Sequence, residues 1–314
     1  MVNNDNVQVQ KIDRKSEIKG TIMLFFAAIA GAAGVVFMKF VLEAGYEPFQ
    51  VVWMPFGIAT LVMLPFSVKK LIKISALDIK AGLAVGSMCG VGYLVGIVGF
   101  QYVSASINSF IIGSSVIFVP FLGRMIFKTH VAKISIIAAF MVFAGIGVLA
   151  YDGEFSARTF GIILTFISAL CVSGQLLGIE RYVKKGVNPS LLTFLITGVT
   201  FIFGLVASLI FEGPLPPATF SGIGAMLIIG VIGTGGLYFC LTYGEQFVSP
   251  TKAAIIYSTQ SLFVVVLAAI ILSEIIGLQQ IVAFVIIFAA IILNETMAPQ
   301  AQEKLDEKYS RASE

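Results

Sequence analysis

Most of the polar side chains that could bind a solute lie inside long apolar segments and carry no charge. They are aromatic rings, amides and hydroxyls at Trp53, Tyr93, Asn108, Ser115, Gln175, Tyr238, Tyr257 and Gln260. Asn108 and Ser115 are seven residues apart, so they share one face of a helix, and Tyr257 and Gln260 do so at a spacing of three. Such groups suit a small amphipathic or cationic solute. Hydrogen bonds between helices are the structural alternative.

Three charged residues near the ends of apolar segments are candidates for a gate or a coupling site. Lys39 lies 19 residues after Gly20, which is about 28 Å along a helix. Glu43 follows one turn later, where an ion pair with Lys39 is expected. Glu180 ends another apolar segment. Structural ion pairs at the membrane surface are the alternative, and no carboxylate lies in the middle of a segment.

Patterns for other kinds of chemistry are missing from the sequence. His130 is the single histidine, and Cys89, Cys171 and Cys240 form no C-x-x-C pair. There is no Walker A motif, and no pair of residues suits catalysis at an interface. We therefore expect no catalytic residue, no metal, no cofactor and no enzyme activity.

The composition indicates a protein of the lipid bilayer. Of 314 residues, 58% are hydrophobic and 12% are charged, and the mean hydropathy is +0.99. Soluble domains carry about 25% charged residues, so this chain has too few to cover a soluble surface. A net charge of +3 also provides no basic face for nucleic acid. These numbers exclude an ordinary soluble enzyme, a disordered chain and a nucleic-acid binder.

Ten segments are long enough to cross a hydrocarbon core, which takes about 20 residues of helix. Spans 1 to 10 are predicted at 20–42, 49–68, 80–100, 105–127, 132–150, 159–180, 190–211, 220–243, 250–272 and 278–297. Each must be helical, because lipid offers no partner to an open backbone hydrogen bond. Gly82, Gly86 and Gly90 recur every fourth residue, which predicts that another helix approaches closely. The glycines of span 8 predict close packing or, alternatively, flexibility.

The distribution of basic residues predicts the orientation of the chain in the membrane. Lys and Arg fall almost entirely in the loops on one side, with Arg158 as the exception. Cytoplasmic loops are the basic ones, so residues 1–19 and 298–314 are both expected in the cytoplasm. The expected location is the plasma membrane.

The sequence also repeats itself at an offset of 145 residues. The matches include Gly90 with Gly235, Tyr93 with Tyr238, Gly99 with Gly244, and residues 101–104 with 246–249. Over residues 90–146, sixteen of 57 positions are identical. The offset covers five spans, and since five is odd, the two halves at 20–150 and 159–297 cross the membrane in opposite senses. Inverted repeats are typical of alternating-access transporters, although duplicated channels and scaffolds are alternatives.

Each half ends with a series of short motifs at equivalent positions. The second half carries Ser249-Pro250 with Ala253-Ala254, then Gln260-Ser261-Leu262-Phe263, and then Ser273-Glu274. The first half carries Ser104-Ala105, then Ser115-Val116-Ile117-Phe118, and then Lys128-Thr129. This repeated motif resembles the EamA-type repeat of the drug/metabolite transporter superfamily. The Glu-Pro of the family pattern is replaced by Gln260-Ser261 in one half and by Ser115-Val116 in the other.

The resemblance implies a ten-helix membrane fold and a transport function. Spans 1–4 and 6–9 would surround a central cavity, and spans 5 and 10 would lie at the periphery. The family implies export of an amino acid, a related metabolite or a toxic amphiphile. Protons or an exchanged solute would drive the export, and the protein would be a monomer or a homodimer. Transport of organic cations, nucleotide-sugars or sugar phosphates is an alternative, as is a non-transporting scaffold, channel or enzyme.

Overall fold

The computed structural model describes residues 14–127, 131–151, 156–217, 219–244, 246–248, 256 and 258–312, and these residues form helices and connecting turns without a strand. The α-helices are α1 (Arg14–Glu43), α2 (Gln50–Leu71), α3 (Ala76–Phe100), α4 (Ala105–Gly113), α5 (Ser115–Phe127), α6 (Lys133–Ala150), α7 (Ala157–Lys184), α8 (Pro189–Phe211), α9 (Phe220–Leu227), α10 (Leu237–Gly244), α11 (Gln260–Ile271) and α12 (Leu278–Ala312). A π-helical segment, Ile228–Gly236, joins α9 to α10.

The described residues contain nine helical stretches long and apolar enough to cross a membrane. They confirm the all-helical membrane fold. Span 4 consists of α4 and α5, and span 8 consists of α9, the π-helical segment and α10. Most of the first half of span 9, including Tyr257, lies outside the described residues, and its described remainder is the apolar helix α11. Helix α12 continues well past the predicted end of span 10, to Ala312.

Short polar side chains fix the first turns of several helices. Ser75 and Asp78 form a capping box at the start of α3, each accepting a hydrogen bond from the backbone amide of the other. Ser104 accepts from the amide of Ile107 at the start of α4, at 3.2 Å. Asn188 accepts from the amides of Ser190 and Leu191 at the start of α8. These caps set where each helix begins, because the first amides of a helix have no partner inside it.

The glycine ladder of α3 packs against α8, as its spacing predicts. A Cβ built on Gly82, Gly86 or Gly90 would lie 2.6 to 2.8 Å from a side-chain atom of α8. The three partners, Leu195, Val199 and Phe203, are themselves spaced by four residues. Each glycine therefore receives one side chain of the facing helix, so that the two helices lie closer together than larger residues would allow.

Span 8 brings its backbone into contact with that of span 1. A Cβ built on Gly233 would lie 2.6 Å from the Cα of Gly34. Gly233 belongs to the π-helical segment, in which the hydrogen bonds run from residue i to i+5 and the helix is locally wider. Gly233 therefore serves close packing in this structure.

The packing between helices repeats when each span is exchanged for the span five positions later. Span 3 packs against spans 6 and 7, and span 8 packs against spans 1 and 2 in the same way. Spans 4 and 6 pack together, as spans 9 and 1 do. Spans 2 and 7, 4 and 9, and 5 and 10 also pack together. The exchange swaps the two members of each of these pairs, so the contact stays the same. This pattern is that of a pseudo-two-fold axis between two halves, which are inverted because each contains an odd number of spans.

The turns that follow spans 1 and 6 show the same symmetry at the level of the backbone. Gly45 and Gly186 both adopt a positive φ, +93° and +87°, directly after α1 and α7. They are separated by 141 residues, and each is followed three residues later by a proline, Pro48 or Pro189. A left-handed glycine ends the first helix of each half, and the proline directs the chain into the next helix.

Glu212 ties the two halves together at one end of spans 2 and 7. Its carboxylate accepts hydrogen bonds from the backbone amides of Phe49 and Gln50, the latter at 3.0 Å. It therefore caps the N-terminus of α2 although it lies in the other half of the chain. Gln50 Nε2 strengthens the tie by donating to the Gly213 carbonyl at 3.2 Å.

We expect Glu212→Ala to lower the free energy of unfolding by about 1–2 kcal/mol, as the loss of a helix cap does. The thermal midpoint of the purified protein in detergent measures the effect. Glu47→Ala is the matched control, because Glu47 is exposed and the hydrogen bonds described for it are made by its backbone amide and carbonyl. Equal midpoints for the two variants would contradict the capping role.

Candidate functional site

A cavity lies between the two halves, near the pseudo-two-fold axis. Its volume is about 120 Å³. Its lining residues are Gly31, Gly34, Val35, Met38, Tyr93, Gly96, Ile97, Phe100, Asn108, Ile112, Ser168, Val172, Gln175, Leu176, Ile229, Gly233, Thr234, Leu237, Tyr238, Leu241 and Gln260. They come from spans 1, 3 and 4 of the first half and from spans 6, 8 and 9 of the second. The cavity is thus built by equivalent helices of both halves.

The expected arrangement of the helices around the cavity was right for spans 5 and 10 and wrong for spans 2 and 7. Spans 5 and 10 pack against each other and contribute no lining residue, as expected. Spans 2 and 7 were also expected to surround the cavity, but none of their described residues line it. They pack against each other and against spans 3 and 8, which separate them from the cavity. The sequence motif therefore identified the helices of the repeat, but it did not show which of them line the cavity and which pack behind those.

Two tyrosines that are equivalent in the repeat both line the cavity. Tyr93 and Tyr238 lie on spans 3 and 8, and Phe56 of span 2 packs against both. The centroid of the Phe56 ring is 4.7 Å from that of Tyr93 and 6.3 Å from that of Tyr238. Because Phe56 is fully buried, it supports the two tyrosine rings from the layer behind them.

The hydroxyl of Tyr238 joins three helices through a buried polar cluster. Gln175 Nε2 of α7 donates to it at 2.9 Å, and Cys89 Sγ of α3 lies 3.3 Å from it. The sequence did not predict this contact between Cys89 and Tyr238. The repeat could have indicated the importance of this position. The offset of 145 residues pairs Cys89 with Thr234, which lines the cavity.

The amides of Asn108 and Gln260 also face this cavity. Asn108 lies in the first turns of α4, and Gln260 is the first residue of α11. A Cβ built on Gly31 of α1 would lie 2.6 Å from Gln260 Oε1, so the amide occupies space that a side chain at position 31 would fill. Gln260 Oε1 is buried and has no hydrogen-bond partner among the described residues.

The other predicted solute-binding residues lie elsewhere. Trp53 packs against α8, with its ring centroid 6.4 Å from that of Phe201 and its backbone beside Gly204. Ser115 is buried at the contact between spans 4 and 6, where its carbonyl accepts a hydrogen bond from Ser173 at 2.6 Å. Neither residue lines the cavity, and Tyr257 lies outside the described residues. Five of the eight candidates therefore meet at one place.

Lys39 lies next to Met38 and Phe100, which line one end of the cavity. Its Nζ donates to the carbonyl oxygens of Phe100, at 3.1 Å, and of Val103, at 3.0 Å. It also lies 5.4 Å from the centroid of the Phe100 ring. A cation beside the last carbonyls of α3 is favourable for the helix. These contacts with the end of α3 take the place of the expected ion pair with Glu43, which is exposed.

Glu274 of the second half contacts the start of α4, two residues before the cavity residue Asn108. Glu274 is half-buried and accepts hydrogen bonds from the amide and the hydroxyl of Ser106. It thereby caps the start of α4. Because Ser106 and Glu274 belong to different halves, this contact bridges the two repeats.

Glu180 occupies the position that corresponds to Lys39 in the second half, 141 residues later. It forms an exposed ion pair with Lys184, at 2.6 Å, and Lys184 in turn corresponds to Glu43. The two halves therefore carry the same pair of positions with the charges exchanged. Glu180 itself lies at the surface and does not line the cavity.

The cavity is neutral and small. None of its described lining residues is Asp, Glu, Lys or Arg, and the described part of the chain contains no group of His, Cys, Asp and Glu suited to a metal ion. An apolar protein cavity of about 150 Å³ accommodates benzene, so a volume of about 120 Å³ is on the scale of a single small ring. Aromatic rings, three amides and several hydroxyls in such a space can hold a small amphipathic solute.

Comparisons with known proteins agree with the duplicated fold. The model of the EamA-like transporter family matches the chain twice, over residues 18–151 and 159–296. The uncharacterized transporter YdfC of Bacillus subtilis (strain 168) is 26% identical over 236 residues, which are 73% of this chain and 74% of that protein. An uncharacterized transporter of Archaeoglobus fulgidus is 25% identical over 234 residues, 73% of this chain and 71% of its own length.

A solved crystal structure shows the same fold at low sequence identity. It superposes with a TM-score of 0.63 and 15% identity, and the match covers 90% of this chain and 97% of the other. Near-complete coverage of both chains indicates that the whole arrangement of helices is shared.

Proposed function

This chain belongs to the EamA-like transporter family and is a multi-pass membrane transporter, and from this premise we propose that it exports a small organic solute by alternating access. Amino acids, related metabolites and small toxic amphiphiles are the proposed solutes. The protein acts in the plasma membrane with both termini in the cytoplasm, as the basic loops indicate. Protons or an exchanged solute provide the driving force, and no catalytic step is involved.

The observation that carries this proposal is a cavity enclosed by equivalent helices of two inverted halves. Tyr93 and Tyr238, which occupy equivalent positions in the repeat, both line it. Since the two halves are built alike but face opposite ways, a movement that opens one mouth has a counterpart that opens the other. A solute held near the axis is then reached from either side of the membrane in turn.

The size and charge of the cavity favour small solutes over the phosphate-bearing alternatives. A volume of about 120 Å³ is comparable to a single ring and far below the roughly 300–1,000 Å³ of sites for drug-sized ligands. A sugar phosphate or nucleotide-sugar also needs cationic side chains for its phosphates, and the described lining residues include none. Lys39 lies at one end and is already bound to two carbonyls.

Flux into proteoliposomes tests the transport function directly. The purified chain is reconstituted and offered radiolabelled amino acids, amines and nucleobases, with and without a pH gradient. We expect saturable flux for at least one single-ring solute, and dependence on the gradient would identify proton coupling. No saturable flux of any solute under either condition would overturn the proposal and favour a scaffold.

Asn108→Leu is expected to reduce this flux about tenfold, because one hydrogen bond to the solute, worth about 1–1.5 kcal/mol, is lost. The chain should still fold, since leucine has a similar size and no partner of the Asn108 amide is left behind among the described residues. Gln101→Leu is the control, as Gln101 is exposed in the turn after α3. Equal flux in the two variants would remove Asn108 from the binding site.

A further inference from the structure

Gln260 offers at the cavity a buried hydrogen-bond acceptor that no described residue pairs with. Its Oε1 atom is shielded from solvent and has no partner among the described residues. Of the described residues that line the cavity, Gln260 alone has such an atom. An unpaired buried acceptor is unfavourable, so a solute that brings a donor to this atom is bound more tightly than one that does not.

The position of this amide is built into the wall of the cavity. Gly31 of α1 leaves room for it, because a Cβ at that position would lie 2.6 Å from Gln260 Oε1 and 2.5 Å from Leu237 Cδ1. The neighbouring Ser261 anchors the first turn of α11 by donating to the Ser109 carbonyl of α4 at 2.9 Å. Gln260 is thus held between spans 1, 4 and 8, with its oxygen at the cavity.

Two other polar groups of the cavity already form hydrogen bonds within the protein. The Tyr238 hydroxyl already accepts from Gln175 Nε2 at 2.9 Å. The Oγ of Ser168 donates to the Gly92 carbonyl at 2.7 Å. Because no anionic or cationic residue is present among the described lining residues, a solute carboxylate would find no counter-charge there. The tyrosine rings, in contrast, are compatible with a cation.

From this arrangement we propose that Gln260 determines specificity by accepting a hydrogen bond from an N–H group of the solute. The solutes selected are small single-ring amines or amides with an N–H donor and no net negative charge. The inference rests on the proposed transport function and names the solute class of the same cavity. The inference also gives a role to Gln260, which stands where the family pattern has a glutamate. Its neutral amide oxygen can accept a hydrogen bond from an amide N–H as well as from an ammonium group.

Three probes with the same phenyl ring separate the donor from the charge. Phenethylamine has both an N–H donor and a positive charge, phenethyltrimethylammonium has the charge without the donor, and 3-phenylpropionate has a negative charge. Binding to the full chain in detergent is measured by isothermal titration calorimetry. For the unchanged protein we expect phenethylamine to bind about tenfold more tightly than the trimethylammonium probe, which corresponds to one hydrogen bond to a charged donor. Binding of 3-phenylpropionate should be undetectable.

Two variants and one control assign the effect to Gln260. Gln260→Met removes the acceptor at nearly constant volume and should weaken phenethylamine about tenfold, while the trimethylammonium probe changes less than about twofold. Gln260→Glu keeps an acceptor and should retain the preference for the N–H probe, which also covers the case in which the methionine variant folds poorly. Gln101→Met makes the same chemical change at an exposed position and should leave all affinities unaltered.

The outcomes distinguish this inference from the transport proposal. Equal binding of phenethylamine and its trimethyl derivative to the unchanged protein would overturn the inference, as would a parallel loss of both in Gln260→Met. Saturable proteoliposome flux of a solute without an N–H donor, at the same rate in Gln260→Met, would overturn it while the transport function stands. Absence of any flux overturns the transport function instead.

Discussion

Gly233→Leu is expected to prevent the chain from reaching its folded state, with loss of both transport and monodisperse protein. A Cβ at this position would lie 2.6 Å from Gly34 Cα and 3.2 Å from Gly34 N. These are backbone atoms, so no change of side-chain rotamer relieves the contact, and spans 1 and 8 would have to separate. We expect a cost above the 1–3 kcal/mol that is typical of overpacking, at about 4 kcal/mol or more.

The yield and thermal midpoint from fluorescence-detected size-exclusion chromatography measure this effect. Gly224→Leu is the matched control, because it lies in the same span and a Cβ there meets nothing within 4 Å. Normal yield and midpoint in Gly233→Leu would show that spans 1 and 8 do not need their close contact. A similar loss in Gly224→Leu would show that span 8 tolerates no large side chain in general.

Lys39→Met is expected to reduce transport at least tenfold, while most of the protein still folds. The substitution removes the ammonium group that donates to the carbonyls of Phe100, at the end of α3, and of Val103, in the turn that follows. Loss of hydrogen bonds from a charged donor costs about 1.5–3 kcal/mol each before solvent replaces them. Since Met38 and Phe100 line the cavity beside Lys39, the mouth loses its fixed geometry.

Flux of the solute identified in the proteoliposome panel measures this second effect, with the thermal midpoint as the readout of folding. Lys39→Arg should keep a substantial part of the flux, because a guanidinium group can donate to the same carbonyls. Lys73→Met is the control, since Lys73 is exposed in the turn between α2 and α3. Flux that is unchanged in Lys39→Met would exclude a role for this mouth in transport.

The parts of the fold that depend on spacing along one helix were predictable from the sequence. The ladder of Gly82, Gly86 and Gly90 predicted a close helix contact, and the partner is α8. The offset of 145 residues predicted two equivalent tyrosines, and both line the cavity. In each case a local period or a repeat is sufficient, because the helix converts sequence spacing into a direction in space.

The parts that depend on distant contacts were not predictable. Lys39 was expected to pair with Glu43 on its own helix, whereas its partners Phe100 and Val103 are 61 and 64 residues away. Trp53 and Ser115 are polar positions inside apolar spans, as the true lining residues are. Only the packing of α2 and α5 against their neighbours decides that these two side chains point away from the cavity.

The π-helical segment of span 8 contains an extra residue relative to a regular α-helix. One residue is about 100° of rotation around an α-helix. Conversion of Ile228–Gly236 to α-helical form would therefore swing Tyr238 away from Gln175 and Cys89 without any change in the flanking helix α9. Span 3 holds Tyr93 in an uninterrupted α-helix, so the two otherwise matching halves differ here, and among their described residues only span 8 contains a π-helical segment whose rewinding would turn its tyrosine.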